Sequence, residues 1–367
     1  MEGYLLHSLN TAEHQFKEVF KNRLGKRVLE EFERLFRSNF IRESDFKRIA
    51  SLGFNCLRIP FNYRLLEGSP YQYNEEGIRY LDRAIRWAEK VSLKVILDLH
   101  AAPGCQNCDW HSDSCGKADL WTNKNNQKRT IAIWEILADR YKDKDIIAGY
   151  NVLNEPVVRN TKLLNSFYHR LIKHIRKIDR NHILFVEGNM WSTDIACLDA
   201  FKDDNLVLSV HSYEPLEFTF NYIPQIRYPI CSRNGNFNKT NIRKRHQSYK
   251  KISEKTKRPI FVGEFGVNDR QGFYGEDKWL LDALRVYEEM DFHWTYWTYK
   301  AVKNGIFPDG IFSYMDNPVW VSRHGFKMGW DNYADVWKEN KHKMAQSWRT
   351  EEFRKNKTLI NVLKKFL

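Results

Sequence analysis

The sequence lacks the long apolar runs that membrane proteins contain. No stretch approaches the roughly 20 consecutive apolar residues that a membrane-spanning helix requires, so we expect no membrane partner. The opening residues, MEGYLLHSLNTAEHQF, also lack a basic segment followed by an apolar one, which is the pattern of a secretory signal. We therefore expect a cytoplasmic protein as the sequence stands, and a secreted one if the true start lies upstream of Met1.

Signals for two common ligand classes are also weak. No GxGxxG motif follows an early apolar stretch, which leaves a dinucleotide-binding sheet with little support. The net charge of +13 could indicate a nucleic-acid partner, but the densest basic run, from Arg243 to Arg258, lacks a series of interleaved aromatic residues that could stack on bases. Such a run is typical of a solvated helix face. We expect a monomer without a nucleic-acid partner.

Aromatic residues and a group of cysteines stand out against these absences. The 12 tryptophans and 18 tyrosines are more than a core needs, so some of them are expected to face a ligand. Cys105, Cys108, His111 and Cys115 are closely spaced, as in a shortened zinc knuckle. A structural zinc site, a disulfide within the group and free thiols are all compatible with this spacing, and we predict no metal site.

Hydrophobic periodicity predicts strands that alternate with helices. The predicted strands are 54–59, which Pro60 is expected to end, and 94–99, 147–153, 183–186, 206–210, 260–262 and 293–297. The predicted helices are 10–40, 75–91, 127–141, 163–178, the basic run and 277–290. Most of the strands are short and apolar throughout, which indicates burial on both faces and therefore a parallel sheet.

Polar residues cluster at the carboxyl ends of these strands. In chain order they are Arg58, His100, Asn154, Glu155, Glu187, His211, Tyr213, Glu264 and Trp297. A barrel gathers such ends into one ring, whereas an open sheet places them along a line. We therefore predict an α/β fold, a (β/α)8 TIM barrel, with residues 1–367 forming a single catalytic domain. Because only Gly3–Leu6 is left to serve as the first strand, that strand is expected to be truncated.

Two glutamates carry the chemistry that this ring suggests. The stretch GYNVLNEP, residues 149–156, ends on Asn154 and Glu155, and Glu264 in FVGEFG repeats the arrangement. Burying an unpaired carboxylate is costly, which favours a functional role. Two carboxyl groups that face each other across a pocket are what glycoside hydrolysis uses: one protonates the leaving oxygen, and the other attacks the anomeric carbon or activates water.

Several motifs together resemble the signature of glycoside hydrolase family 5. They are Arg58-Ile-Pro, Asp98-Leu-His100, Asn154-Glu155-Pro, His211-Ser-Tyr213, Gly263-Glu264-Phe-Gly and Trp297. The resemblance runs from about residue 39 to 300, and Leu99-His-Ala-Ala-Pro-Gly104 is similar to the exo-β-1,3-glucanase-like branch. It implies a retaining β-glycosidase that needs no cofactor and acts on a β-linked oligo- or polysaccharide. Glu155 would be the general acid/base and Glu264 the nucleophile.

The resemblance also implies substrate-binding roles. They fall to residues at neighbouring strand ends: Arg58 and Tyr213 beside Glu264, Asn154 on the sugar 2-hydroxyl, His100 and His211 on the sugar or the acid, and Trp297 as the floor. We expect the two carboxyl groups about 5–5.5 Å apart, as retention requires. The charge of Glu264 is expected to keep Glu155 protonated.

The remaining expectations concern supporting residues. Asp98 is expected to pair with Arg58, Glu187 to be structural, and His111 and Asp113 are candidates for the pocket rim. Aromatic residues on long connections are expected near the mouth: Trp110, Trp121, Phe218, Tyr222, Phe307, Tyr314 and Trp320. The sugar and the linkage stay open, as do exo or endo action and transglycosylation. A carbohydrate-binding barrel without turnover is the alternative.

Overall fold

Seven parallel strands form the central sheet. The computed structural model describes residues 11–232, 235–303, 305–314, 316–321 and 329–367. The strands are β1 (Cys56–Asn62), β2 (Lys94–Ala101), β3 (Ile147–Asn151), β4 (Ile183–Glu187), β5 (Leu206–His211), β6 (Ile260–Phe265) and β7 (His293–Tyr296). Each pairs with the next along the chain, and the sheet curves so that β7 approaches β1 in a nearly closed barrel. The barrel prediction is confirmed.

Helices connect the strands. In chain order they are α1 (Glu13–Leu24), α2 (Lys26–Asn39), α3 (Glu43–Leu52), α4 (Glu75–Glu89), α5 (Lys124–Tyr141), α6 (Thr161–Ile178), α7 (Lys239–Thr256), α8 (Glu276–Glu289), α9 (Gly329–Ser347) and α10 (Lys357–Leu363). Short helical turns lie at Tyr63–Leu66, Trp110–Ser112, Asn189–Ser192, Leu216–Thr219 and Thr350–Glu352. None of the helices in the described part of the chain could span a membrane.

Small sheets lie outside the barrel. Antiparallel pairs join Glu67–Ser69 to Gln72–Tyr73 and Ile230–Ser232 to Gly235–Phe237. A three-stranded sheet joins Lys300–Ala301, Phe312–Ser313 and Arg354–Lys355. This last sheet ties the connection that follows β7 to the end of the chain.

The first repeat illustrates how the sequence forms these elements. Asn74 caps α4, because its side-chain oxygen accepts a hydrogen bond from the Glu76 backbone N–H. Ile78, Leu81 and Ile85 recur at helical spacing and are buried, so α4 covers one face of the sheet. In β2 every residue after Lys94 is buried, which matches a strand covered on both faces.

The sheet is open between β1 and β7. No eighth barrel strand lies there among the residues that the structure describes, and the candidate Gly3–Leu6 falls outside them. In β1 only Phe61 is buried, as expected of a strand with one neighbour. The prediction that Pro60 ends the strand is wrong: Pro60 lies within β1, in register with Asp98. An edge strand tolerates proline because one row of its N–H groups has no partner to lose.

The expected helix at 10–40 is two helices. Gly25 separates α1 from α2 with a φ of 90°, a conformation that favours glycine. The two helices pack through aromatic rings: the centroids of Phe20 and Phe32 lie 4.8 Å apart, and those of Phe32 and Trp337 of α9 lie 5.1 Å apart. This aromatic cluster joins the two ends of the chain on the outside of the barrel.

A cavity of about 620 Å³ lies inside the barrel, below the ring of polar residues. Ile96, Phe185 and Phe261 line it and form a small cluster separate from the main core. Residues of β1 and β7 also line it, and it extends to Arg58 and Trp297. The cavity therefore follows the open side of the sheet and reaches the floor of the candidate site.

Candidate active site

Glu155 and Glu264 lie together at the carboxyl ends of the strands. Glu264 is on β6, and Glu155 follows β3 after a short turn. One oxygen of each carboxyl group and one ring nitrogen of His211 all lie within 4.8 Å of one another. The Glu155 side chain is 12% exposed and that of Glu264 6%. Both carboxyl groups thus approach each other at one place, with one oxygen of each no more than 4.8 Å from one of the other.

Glu264 is held as a carboxylate by two donors. Arg58 Nη1 donates to its Oε1 at 2.6 Å, and the Tyr213 hydroxyl donates to its Oε2 at 2.8 Å. Burial by itself raises the pKa of Glu264, but the charges of His211 and Arg58 outweigh it and lower the pKa below its ordinary value. The side chain is therefore ionised and fixed in direction.

Arg58 is the centre of a buried charge network. Its Nη2 lies 3.1 Å from Asp98 Oδ2 and 3.3 Å from Glu187 Oε1, so the expected pair with Asp98 is confirmed. Its Nε donates to Asn151 at 3.0 Å. The prediction that Arg58 ends its strand is wrong, because β1 continues to Asn62. The side chain nevertheless reaches the site by crossing the floor of the barrel.

Asn154 presents an amide to the same space. Its Oδ1 accepts a hydrogen bond from Arg58 Nη2 at 2.6 Å, which fixes the orientation of the amide. Its Nδ2 is buried and has no hydrogen-bond partner within the described residues. A buried amide donor left without an acceptor is costly. The group is therefore available for an oxygen of a ligand.

The Glu155 carboxyl contacts His211. His211 Nδ1 lies 2.6 Å from Glu155 Oε1. Burial lowers the pKa of His211, but Glu187, Glu264 and Glu155 surround it and raise the pKa well above its ordinary value. The imidazole is therefore protonated and donates to Glu155.

The backbone of Glu155 is also fixed. Its φ of 46° is left-handed, which costs a non-glycine residue of order 1 kcal/mol or more. Its N–H donates to Glu187 Oε2 at 2.6 Å, and its C=O accepts from Asn107 Nδ2 at 2.8 Å. These bonds hold the strained residue with its side chain over the site.

Glu187 is a buried support rather than a pocket residue. Burial raises its pKa, but His211 and Arg58 dominate and lower it to about 2. Glu187 is fully buried, and it contacts Arg58, His211 and the backbone N–H of Glu155. This agrees with the structural role that the sequence suggested. The spacing of residues in the sequence did not predict that Glu187 lies between Arg58 and His211.

His100 and Trp297 form one wall. Their rings stack with centroids 5.3 Å apart and planes 3° apart, and His100 Nδ1 lies 2.8 Å from Asp98 Oδ2. Trp297 follows β7 directly, and its backbone N–H donates to Phe265. The imidazole thus sets the orientation of the indole, as needed for a flat platform under a sugar ring.

The cysteine-rich loop does not assemble a metal site. Cys105, Cys108 and Cys115 are free thiols, and Cys105 Sγ approaches the backbone oxygen of Asp113 at 3.5 Å. His111 turns away from them toward Glu155, whose Oε2 lies 3.4 Å from His111 Nε2. Glu155, His211 and Glu264 are the one set of converging metal-type ligands in the described ranges. The negative charge of the two glutamates is already balanced by Arg58 and by protonated His211.

The rim differs in part from the sequence expectation. Asp113 does not reach the pocket, because it pairs with Arg64 at 2.6 Å and with His14 at 2.9 Å. Three aromatic residues expected at the mouth pack elsewhere: Trp121 against Phe167, Phe218 against Tyr228, and Tyr314 against Phe353. Trp320 packs against the main core.

Other aromatic rings do form a connected group. Phe307 lies 5.8 Å from Trp110, and Trp110 lies 5.7 Å from His111, measured between ring centroids. Phe220, which the sequence analysis did not single out, bridges Phe307 and Tyr222 at 5.3 and 5.6 Å. A single phenylalanine in a loop belongs to no sequence pattern that would have identified Phe220 as a site residue.

A parallel barrel with two facing carboxyl groups at the carboxyl ends of its strands is an arrangement that glycoside hydrolases use. The model of the cellulase family, glycosyl hydrolase family 5, matches residues 22–303. The chain belongs to this family, as the motifs suggested.

Relatives of several kinds share this similarity. A β-xylosidase of Phanerodontia chrysosporium is 34% identical over 306 residues, which are 79% of this chain and 63% of the relative. Endoglucanase C of Acetivibrio thermocellus is 29% identical over 296 residues, 72% of this chain and 85% of the relative. A probable glucan 1,3-β-glucosidase A of Aspergillus fumigatus is 33% identical over 183 residues, 48% and 43% of the two chains. The chain thus spans less than two thirds of the β-xylosidase.

The solved structures agree on the architecture. Endoglucanase Cel5A of Thermotoga maritima superposes with a TM-score of 0.65 at 22% identity, covering 88% of this chain and 90% of that one. The cellulose synthase subunit Z of Clostridioides difficile gives a TM-score of 0.64 at 21% identity, covering 88% and 92%. At this level of identity the similarity shows the fold.

Proposed function

We propose that this chain is a retaining β-glycoside hydrolase that acts on a β-glucan or a related β-linked oligosaccharide. Glu264 is the nucleophile, and Glu155 is the general acid/base. The observation that carries the proposal is the pair of carboxyl groups with oxygens within 4.8 Å. Their surroundings differ: Glu264 is bound by Arg58 and Tyr213, whereas Glu155 is bound by His211 and is the more exposed of the two.

In the first step, the ionised Glu264 attacks the anomeric carbon. Arg58 and Tyr213 hold one oxygen each, so the carboxylate is already oriented and no large rearrangement is needed. The bond from the anomeric carbon to the leaving oxygen breaks as the bond to Glu264 forms. Glu155 gives its proton to that oxygen, which leaves as an alcohol.

In the second step, Glu155 acts as the base. It takes a proton from a water molecule whose oxygen attacks the anomeric carbon, and the bond to Glu264 breaks. Because Glu264 is neutral in the glycosyl-enzyme, Glu155 no longer faces a negative charge and can remain ionised. One carboxyl group thereby serves both steps, and two displacements retain the β configuration.

The remaining site residues bind the sugar at the cleavage point. The buried Nδ2 of Asn154 is the donor for the 2-hydroxyl, a contact that strengthens in the transition state. Trp297, stacked on His100, supports the apolar face of the ring. The relatives' names, a β-xylosidase, endoglucanases and glucan 1,3-β-glucosidases, support a β-linked substrate.

We also propose that the described residues form one domain and act as a monomer. One continuous hydrophobic cluster runs from Phe16 of α1 to Leu363 of α10. The terminal helices therefore share the core that surrounds the barrel, which supports a single cooperative unit.

A panel of aryl β-glycosides and linkage-defined oligosaccharides tests the function. Hydrolysis of a β-linked substrate with the β-anomer as first product, followed by NMR, supports retention; an α-anomer as first product contradicts it. Glu264→Gln should abolish turnover and keep sugar binding, whereas Glu289→Gln, on the surface of α8, should behave as wild type. If the wild-type chain binds these sugars without turnover, it is a carbohydrate-binding barrel instead.

The roles of the two glutamates can be separated. Glu155→Ala should retain activity on glycosides with very acidic leaving groups, which need no proton, and azide should accelerate it to a β-glycosyl azide. Glu264→Ala should give no β-azide, because the covalent intermediate cannot form. The reverse pattern would exchange the two assignments.

A further inference from the structure

A second imidazole reaches the Glu155 carboxyl from the loop that follows β2. His211 Nδ1 lies 2.6 Å from Oε1, and His111 Nε2 lies 3.4 Å from Oε2. Each oxygen of Glu155 therefore faces its own histidine. The two histidines come from different elements, His211 from the end of β5 and His111 from the helical turn Trp110–Ser112.

His111 is enclosed by ionisable groups. Its side chain is 15% exposed, and its Nε2 lies 3.4 Å from Glu155 and 3.7 Å from Asp109 Oδ2. His100 faces it edge-on, with ring centroids 6.0 Å apart. The indole of Trp110 packs on it from its own turn. Two carboxyl groups and one further imidazole thus make up its charged surroundings.

Asp109 links this histidine to the solvent. The Asp109 side chain is 40% exposed. Its Oδ2 accepts a hydrogen bond from Trp191 Nε1 at 2.6 Å. The carboxylate is therefore fixed between the loops that follow β2 and β4.

The two oxygens of Glu155 differ in what they can do. Oε1 already accepts a hydrogen bond from protonated His211, so the proton that Glu155 delivers must lie on Oε2. When His111 is neutral, that proton lies on Oε2, 3.4 Å from Nε2. When Oε2 is ionised, a protonated His111 can donate to it instead.

We propose that Glu155 and His111 share one proton, and that His111 thereby widens the pH range over which Glu155 serves as both acid and base. This inference rests on the proposed role of Glu155. His111 does not touch the reacting atoms, so it is a positioning residue that acts through the carboxyl group.

The proton is accounted for in each step. In the first step it moves from Glu155 Oε2 to the leaving oxygen, and His111 then faces a carboxylate. In the second step Glu155 takes a proton from the attacking water, and that proton is again shared between Oε2 and Nε2. No other co-reactant is needed.

The electrostatics agree with this sharing. Burial lowers the pKa of His111, but Asp109 and Glu155 outweigh it and raise the pKa above its ordinary value. The same imidazole, with help from Trp191, lowers the pKa of Asp109. His111 therefore holds a proton most strongly when both carboxyl groups are ionised.

The direction of the pH effect follows from coupled titration. The last proton leaves a coupled pair at a higher pH than it would leave either group alone, and the second proton joins at a lower pH. Removing His111 should move the alkaline limb of kcat/KM to lower pH. It should also move the acid limb of kcat to higher pH for a substrate whose second step is rate-limiting.

The test is the pH profile of His111→Asn, measured with a substrate that the wild-type chain hydrolyses. We expect each limb to move inward by about half a pH unit or more, because coupled sites interact by about one unit. Asp109→Asn should move the alkaline limb to lower pH by less, because it removes a carboxylate that raises the pKa of His111 and keeps the imidazole. The control His169→Asn removes an exposed histidine that pairs with Asp199 on the protein surface, and should leave the profile unchanged.

A second measurement does not depend on activity. NMR titration of His111 in Glu155→Gln should give a lower imidazole pKa than in the wild type, because a carboxylate partner is lost. If His111→Asn lowers the rate equally at all pH values, or the imidazole pKa is the same in Glu155→Gln, His111 does not share the proton. A wild-type chain without any hydrolysis overturns the proposed function itself.

Discussion

Replacing Tyr213 by phenylalanine perturbs one hydrogen bond to the nucleophile. The Tyr213 hydroxyl donates to Glu264 Oε2 at 2.8 Å, while Arg58 holds the other oxygen at 2.6 Å. Phenylalanine keeps the ring, which packs edge-on against Phe220 with centroids 5.1 Å apart. The variant therefore removes a donor without opening a cavity.

The size of the effect follows from that bond. A hydrogen bond to a charged group contributes about 1.5–3 kcal/mol. Since 1.36 kcal/mol corresponds to one pKa unit, the pKa of Glu264 should rise by about one to two units in Tyr213→Phe. The nucleophile must be ionised, so the acid limb of kcat/KM should move to higher pH by the same amount. The alkaline limb, which reports the general acid, should stay in place.

The assay is the pH dependence of kcat/KM on an aryl β-glycoside that the wild type hydrolyses. Tyr228→Phe is the matched control, because Tyr228 donates to Asp282 at 2.9 Å away from the site. This control loses a comparable hydrogen bond and should lose a comparable amount of stability. Both limbs of its pH profile should stay in place. A folded Tyr213→Phe variant whose acid limb coincides with that of the wild type would refute the claim that this hydroxyl stabilises the ionised nucleophile.

Three further substitutions test other parts of the site and fold. Asn154→Ala should lower kcat/KM by about 100-fold or more, as expected for one lost transition-state donor, and the loss should shrink on a 2-deoxy glycoside, measured by steady-state kinetics. Arg58→Met leaves buried carboxylates without a cation, so it should destabilise the fold by about 3–5 kcal/mol in urea unfolding. Burial lowers the pKa of Lys300 to about 7, below the unfolded value of about 10.4, so the wild type should gain stability as pH rises between these values. Lys300→Met should remove that gain in denaturation curves at pH 7 and pH 9.

The strands of the barrel could be predicted because their apolar runs are unambiguous. All seven predicted strands exist, and every one except β1 begins at the predicted residue. Boundaries near proline and glycine were less certain. A proline normally ends a strand, but an edge strand accommodates Pro60. Only the three-dimensional position of β1 reveals that β1 is an edge strand. Gly25 breaks an otherwise continuous helical pattern through its positive φ.

The catalytic ring was predictable for a different reason. Parallel strands bring their carboxyl ends to one face, so residues such as Glu155, His211 and Glu264 had to meet. The loops carry no such constraint. His111 contacts Glu155, whereas Asp113, two residues later, pairs with Arg64 on the other side of the loop. Sequence spacing cannot separate these two outcomes, because an irregular turn sets the direction of each side chain.

The position of Arg58 connects the open barrel to its chemistry. β1 has a sheet neighbour on one side only among the described residues, yet it supplies the cation on which the nucleophile depends. From this edge, Arg58 reaches Asp98 on β2, Glu187 on β4 and Glu264 on β6.

A guanidinium can hold several partners in fixed directions at once, so one side chain ties strands together across the floor of the site, directly above the cavity of about 620 Å³. Below that level, apolar packing is incomplete, and Ile96, Phe185 and Phe261 form only a small cluster. Ion pairs at the catalytic end therefore link strands that stacked layers of side chains would hold together in a fully closed barrel. The ion pair that holds the nucleophile is therefore part of the same network that links β1 to β2, β4 and β6.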